Sequence, residues 1–209
     1  MSKKLLLLII LFSGVRLAFA QQNTEFRLVK EYYDSQRINL LNAFKKEAQN
    51  NRNTIQLEEM KIDFSEFMSK MDSIQNVASI GALIRVKNRE DLQRILQENK
   101  GKDRKVSDTI SLEIPAEYPG GINTLRQQVA DLFYFDALLS DISKVSTNIY
   151  FVVEKDGSIS SVRADGENFV FNRQAEIAVY MLPEKFTPAT FNGEKVRYSY
   201  RIPLTMKFK

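Results

Sequence analysis

Carboxylates are the side chains of this chain that could act as general acids or bases. The 209 residues include 26 Asp and Glu but no His and no Cys, so the commonest general base, the commonest zinc ligand and any thiolate nucleophile are absent. No pair of acids stands out, and the sequence contains no Gly-x-Gly-x-x-Gly, Walker-type or Gly-x-Ser-x-Gly motif. We therefore expect neither an enzyme nor a protein that binds a metal or a cofactor.

The other chemistry that the sequence offers is that of backbone hydrogen bonds at the edge of a sheet. Residues 194–209, "EKVRYSYRIPLTMKFK", alternate between apolar and polar side chains and carry Pro203 in the polar series. Because proline lacks an N–H, sheets accept it at edge strands or bulges. We predict an edge strand that captures an extended segment through main-chain hydrogen bonds. The candidate partner-binding residues are Val196, Arg197, Tyr198, Ser199, Tyr200, Arg201, Ile202 and Pro203.

The elements that would hold this edge lie in the second half of the chain. Asp156-Gly157 separates two β-like runs, 147–154 and 158–164, which predicts a hairpin with a two-residue turn. Amphipathic patterns predict helices over 122–133, directly after "EYPGG", and over 169–182, with Arg173 and Glu176 off the apolar side. The order helix, hairpin, helix, strand predicts an α+β fold. Its three-stranded antiparallel sheet carries both helices on one face.

The first half of the chain reads as a mainly helical region. Apolar residues at three- and four-residue spacing predict a helix over 23–49. A second helix carries a stripe, interpreted as a helix–helix core rather than a ligand groove: Met60, Phe64, Phe67, Met71, Ile74 and Ala78. Residues 81–86 fit either a short strand or a continued helix. Asn88 and Asp91 resemble a capping pair that opens a third helix over 89–99, with Gly101 as its C-terminal cap.

The first twenty residues are typical of a cleaved signal peptide. Lys3 and Lys4 precede the apolar run 5–15, and Ala18-Phe19-Ala20 supplies the small-x-small cleavage pattern. Removing residues 1–20 lowers the formal net charge from +4 to +1, which leaves no electrostatic support for a nucleic-acid partner. The predicted organisation is a signal peptide over 1–20, a helical region over 21–104, a linker over 105–114 and a C-terminal domain over 115–209. An uncleaved inner-membrane anchor facing the periplasm is the alternative.

Residues 115–208 resemble the TonB C-terminal domain, in the form common in Bacteroidetes-type proteins. The matching pieces are "EYPGG", "FVVEKDGSISSVRA", "FNRQAEIAVYML" and "KFTPATFNGEKVRYSYRIPLTMKF". The resemblance implies a periplasmic domain that binds a short extended segment, the TonB box, of outer-membrane receptors by adding it as a strand to its sheet. The closing strand is then the docking edge.

The resemblance also sets the expected partner and role. It implies transport across the outer membrane, with an outer-membrane TonB-dependent receptor or a similar envelope protein as partner and only indirect membrane contact. Arg163, Arg173 and Arg201 could steer an acidic segment or be ordinary surface charges. A motor-coupled TonB has an uncleaved anchor and a proline-rich spacer, which the sequence does not show, so we expect an adaptor or scaffold. The alternative is a structural or oligomerisation module of the cell envelope, with no energy-transducing role, in which the helical stripe forms a homodimer and the exposed edge pairs between chains.

Overall fold

The computed structural model describes residues 24–50, 53–98, 114–135 and 144–207. These residues divide into two units, a helical unit over 24–98 and an α+β unit made of 114–133 and 144–207. The predicted signal peptide, Gly101, Phe208 and all of the predicted linker except Ile114 lie outside the described residues. Within the described ranges, no helix is both long enough and apolar enough to cross a membrane.

Two antiparallel helices form the helical unit, α1 (Thr24–Asn50) and α2 (Thr54–Glu98). Near their connection the rings of Phe44 and Phe64 stack with centroids 4.4 Å apart. At the opposite end of α1, Glu25 accepts hydrogen bonds from Arg85 at 2.8 Å and Arg89 at 2.5 Å. These bonds hold the pKa of the Glu25 carboxyl below its usual value. The helix predicted over 23–49 is confirmed.

The second helix is longer than the sequence pattern predicts. Residues 81–86 continue α2, and the separate helix predicted over 89–99 is wrong, because α2 passes through Asn88 and Asp91 without a break. Gly81 costs a helix interior about 1 kcal/mol, and the burial of its neighbours Ala82 and Val86 offsets that cost. The predicted core stripe is confirmed only in part, since Met71 is buried but Phe67 and Ile74 are 50% and 57% exposed.

The α+β unit is built around a three-stranded antiparallel sheet of order β2-β1-β5, as the expected fold class requires. Helix α4 packs on β1 and β2, and α3 packs on α4, where the Phe133 and Phe171 rings lie 5.0 Å apart. The elements of this unit are α3 (Gly121–Asp131), β1 (Lys144–Val153), β2 (Ile159–Asp165), α4 (Phe169–Tyr180), β3 (Ala189–Phe191), β4 (Glu194–Val196) and β5 (Tyr198–Lys207).

The β1–β2 hairpin is confirmed, but its loop has three residues instead of the two predicted. Glu154 and Ser158 close the loop, with the N–H of Glu154 donating to the carbonyl of Ser158 at 2.8 Å. The N–H of Gly157 donates back to the carbonyl of Glu154 at 2.9 Å, and Gly157 has φ of 82°. A Cβ there would lie 2.1 Å from the carbonyl oxygen of Phe186. Glycine is therefore required both by the backbone conformation and by the space available.

The same loop carries a carboxylate with a strongly lowered pKa. Asp156 accepts hydrogen bonds from the hydroxyl of Ser158 at 2.6 Å and from its backbone N–H at 3.0 Å. Lys185 adds an ion pair at 3.0 Å. The Ser158 hydroxyl bond is the largest cause, and together these contacts lower the pKa of Asp156 to about 2.

A second, small hairpin precedes the closing strand and was not predicted. β3 and β4 pair through three residues each, and Asn192 and Gly193 turn the chain between them with φ of 50° and 75°. The stretch predicted as one strand from Val196 onward is thus divided at Arg197, since Val196 pairs with Ala189 in this small hairpin. Positive φ at both central residues is typical of a type I′ turn, which Asn-Gly favours.

A candidate strand-binding edge

Strand β5 lies at one edge of the sheet. All ten of its residues pair with β1, from Tyr198 opposite Val153 to Lys207 opposite Lys144. In the described part of the α+β unit, no strand pairs with the other side of β5. Its side chains alternate, so that Ile202 and Leu204 are buried against the core while Pro203 is exposed on the opposite face.

The direction of the backbone groups on β5 follows from the hydrogen bonds of β2. The N–H of Ala164 donates to Glu176 Oε1 at 3.0 Å, so it points away from Ile149, its partner on β1. Hydrogen-bonded and non-hydrogen-bonded pairs alternate along an antiparallel ladder. Ile149 therefore directs its backbone groups to β5 and bonds with Ile202 opposite it. Pro203 is the next residue along β5, so the position of its missing N–H faces the free edge.

Every second residue of β5 shares this outward direction. At these positions the carbonyls, and the N–H groups of all but the proline, have no partner on β1 because of the same alternation. They are Ser199, Arg201, Pro203, Thr205 and Lys207. Pro203 is one of these outward positions, so its missing N–H removes no hydrogen bond between β5 and β1. The free edge of β5 therefore presents a row of N–H donors and C=O acceptors in which the N–H of Pro203 is missing.

The opposite edge of the sheet is closed by two side chains of α4. The N–H of Val162 donates to Tyr180 Oη at 3.1 Å, and the N–H of Ala164 donates to Glu176. Tyr180 and Glu176 are 3% and 1% exposed. The prediction that Glu176 stands off the apolar side is wrong, because its carboxylate serves β2 and also accepts from Arg173 Nη1 at 2.5 Å. Two outward amides of β2 are therefore unavailable to another strand.

Two of the three predicted steering arginines come together on the outer face of the sheet. The guanidinium carbons of Arg163 and Arg201 lie 5.4 and 5.6 Å from the centre of the Tyr150 ring. Arg201 also donates to Asn148 Oδ1 at 2.9 Å. Arg173 is on α4, bonded to Glu176, and does not join them. The charge of Arg201 lies beside the free edge, where it can attract an acidic residue of an incoming segment.

The first two predicted partner-binding residues do not belong to β5. Val196 ends β4, and Arg197 connects the two strands. The guanidinium of Arg197 binds both carboxylate oxygens of Glu154, with Nε and Nη2 each donating at 2.8 Å. This bidentate pair ties the start of β5 to the end of β1. The remaining six predicted residues, from Tyr198 to Pro203, are all in β5.

The inner face of the edge strand is aromatic at its start. The Tyr200 ring stacks on Phe151 with centroids 5.2 Å apart and meets the Phe186 ring at 5.3 Å. Tyr198 lies edge-on to Tyr200 at 5.8 Å. Burial raises the pKa of Tyr200. The core-facing side chains of an incoming strand would lie beside these half-buried rings.

Sequence reasoning missed the two residues that close β2. Their signal is present but weak, since Glu176 and Tyr180 are polar residues four apart in a helix that is otherwise mostly apolar. In the described ranges, no group of three or more Asp or Glu side chains is placed to hold a metal ion. Comparison of the chain with known protein families, characterised proteins and solved structures gives no match.

Proposed function

We propose that this protein is an exported, periplasmic TonB-like protein that binds an extended segment of an outer-membrane receptor or another envelope protein. Binding takes place by β-strand addition to β5. The observation that carries the proposal is the asymmetry of the sheet. Side chains of α4 occupy two outward amides of β2, whereas β5 presents outward backbone groups along ten residues. The resemblance of residues 115–208 to the TonB C-terminal domain supports the same mode and a link to transport across the outer membrane.

The backbone groups of β5 supply the affinity in this mode. Each main-chain hydrogen bond contributes on the order of 0.5–1.5 kcal/mol net, and ordering the incoming segment offsets part of that gain. An incoming carbonyl that faces Pro203 finds no donor there, whereas an incoming N–H can still donate to the Pro203 carbonyl. A residue paired with Pro203 therefore makes one hydrogen bond instead of two, and a proline at that position of the segment would make none.

Side chains of the incoming strand supply the selectivity. One set of alternate side chains lies beside Arg201 and Lys207 on the outer face, and the other set lies beside Tyr200 and Met206 on the inner face. Acidic residues suit the first set and apolar residues suit the second. The expected partner segment therefore alternates acidic or polar residues with apolar ones over about six to ten residues.

Amide chemical shifts and hydrogen exchange test the proposal. The purified protein is titrated with N-terminal peptides of outer-membrane TonB-dependent receptors, including one peptide scrambled in order as a control. The outward amides of Ser199, Arg201 and Thr205 should exchange fast in the free protein and become protected with peptide. The amides of Val162 and Ala164 should stay unchanged. Absence of any change on β5 at millimolar peptide, or protection on β2 in its place, would refute strand addition at this edge.

A proline substitution removes one more outward donor without disturbing the ladder with β1. Thr205→Pro should weaken peptide binding about three- to tenfold through the loss of one hydrogen bond. Thr205→Val is the matched control, because it also loses the 3.0 Å contact between the hydroxyls of Thr205 and Ser146 but keeps the N–H. Equal binding by the two variants would show that the outward N–H does not contribute.

A further inference from the structure

Helix α2 carries an exposed apolar face that α1 does not cover. We call it the outer stripe, and it consists of Phe67, Ile74, Val77, Ile84 and Ile95, which are between 49% and 66% exposed. Val77, Ile84 and Ile95 lie on the side of α2 away from its buried residues, whereas Phe67 and Ile74 are four and three residues from the buried Met71 and border the covered face. An exposed apolar stripe of this length on a helix marks an interaction surface.

The spacing of the outer stripe is that of a helix–helix seam. Phe67, Ile74 and Ile95 fall in one series of seven-residue steps, and Val77 and Ile84 fall in a second series three residues later, so the stripe follows the a and d positions of a heptad. Gly81 occupies the central a position, and a Cβ added there would meet only the tip of Arg85, at 3.5 Å. A small residue at the centre of a seam allows two helices to approach closely.

Four residues of the outer stripe lie nearly symmetrically about Gly81, whereas the counterpart of Ile74 is Asn88. Val77 and Ile84 lie four and three residues from this centre, and Phe67 and Ile95 each lie fourteen residues from it. A two-fold axis near Gly81 would therefore place Val77 beside the partner's Ile84 and Phe67 beside the partner's Ile95. An isologous contact of this kind requires a surface that matches itself under rotation.

The charges that flank the stripe favour the antiparallel arrangement. Glu66 precedes Phe67, and Arg94 precedes Ile95. Antiparallel helices place Glu66 and the partner's Arg94 on the same side of the seam, whereas parallel helices would place Glu66 opposite the partner's Met71, which carries no charge. The existing contact of Arg94 with Asp91, at 3.1 Å, joins two side chains that are both more than 60% exposed, so it constrains Arg94 little.

The apolar area fits a weak, reversible contact between two copies. A Val, Ile or Phe side chain removes on the order of 100 Å² from water when fully buried, and each of the five is about half exposed. Two copies would therefore bury roughly 600 Å² of apolar surface, which lies in the range of weak, transient interfaces. We propose that α2 pairs antiparallel with α2 of a second copy through the outer stripe, giving a four-helix bundle. This contact is independent of strand binding at β5.

Sedimentation equilibrium of the purified protein tests the association. We expect a monomer–dimer equilibrium, and Ile84→Glu should raise its dissociation constant at least about tenfold because it places a charge in the seam. Ile38→Glu is the matched control, since Ile38 is 59% exposed on α1 and Ile84 is 55% exposed on α2. A protein that remains monomeric at several hundred micromolar, or a dimer weakened equally by both changes, would overturn the proposal.

Cysteine cross-linking tests the orientation, and the chain has no native cysteine to interfere. Gly81→Cys should cross-link to itself. Phe67→Cys should not, but it should cross-link when mixed with Ile95→Cys. Efficient self-cross-linking of Phe67→Cys would show a parallel pair and overturn the antiparallel arrangement. Peptide-induced protection at β5 reports on the proposed function separately and should be unchanged in every one of these variants.

Discussion

Removing the hydroxyl of Tyr180 on α4 tests how β2, the closed edge of the sheet, is kept from pairing with another strand. In Tyr180→Phe the ring keeps its place in the core, and the acceptor for the N–H of Val162 is lost. Tyr180 and Val162 are both 3% exposed, so water does not easily replace the hydroxyl. The amide of Val162 therefore becomes a buried donor without this 3.1 Å bond.

The expected loss of stability follows from that geometry. A buried donor deprived of its acceptor costs about 1–3 kcal/mol, and the length of this bond, 3.1 Å, places it toward the lower half of the range. Against a typical domain stability of about 5–15 kcal/mol, the change is large enough to measure. We expect the free energy of unfolding of the α+β unit to fall by about 1–2 kcal/mol.

Urea denaturation followed by near-ultraviolet circular dichroism measures the change, and amide exchange locates it. The amide of Val162 should exchange faster in Tyr180→Phe. Tyr150→Phe is the control, since Tyr150 is a tyrosine of the same sheet on its outer face, and we expect a change within about 0.5 kcal/mol. A loss below 0.5 kcal/mol in Tyr180→Phe together with unchanged exchange at Val162 would refute the view that this hydroxyl closes β2.

Four further substitutions test the edge strand and the hairpin loop. Pro203→Thr should change the free energy of unfolding by less than about 1 kcal/mol, because the restored N–H faces outward. Ile202→Pro should lower it by about 3 kcal/mol or more, because it removes a hydrogen bond between β5 and β1. Equal losses for the two variants in urea denaturation would contradict the assigned direction of the backbone groups. Gly157→Ala should cost more than about 1 kcal/mol because φ is positive and the Cβ collides with Phe186, and a neutral result would contradict the loop geometry. The pKa of Asp156 is lowered from 3.8 to about 2, so its stabilisation is complete above pH 3.8 and disappears as the pH falls through 2. In Asp156→Asn the stability should vary less over that window, and identical acid titrations of the two proteins would contradict the assignment.

Patterns with a strong local cause were predictable from the sequence. The β1–β2 hairpin follows from Asp156-Gly157 between two alternating runs, and α4 follows from an apolar pattern that Pro183 ends. The edge position of β5 follows from Pro203 alone, since a central strand cannot spare an N–H. In each case one residue type restricts the backbone more than any tertiary contact does.

The missed features depend on contacts between elements. Nothing in a helical period shows that Glu176 lies against a strand with unpaired amides, so the residue reads as a solvent-facing charge. The β3–β4 hairpin carries the clear signal Asn192-Gly193, but the alternation through Arg197 conceals the break between β4 and β5. Asn88 and Asp91 resemble a cap, yet a cap contributes only about 1 kcal/mol and does not interrupt a helix that both flanking segments favour.

A sheet with one closed edge also limits its own growth. If two copies paired β5 with β5, they would form a six-stranded sheet whose outer strands are both β2. Both of those strands have amides occupied by Tyr180 and Glu176, so no third copy could add to the sheet, which would end at six strands instead of extending into a fibre. Such a pair would also hide both docking edges, which makes self-pairing at β5 and capture of a partner segment mutually exclusive.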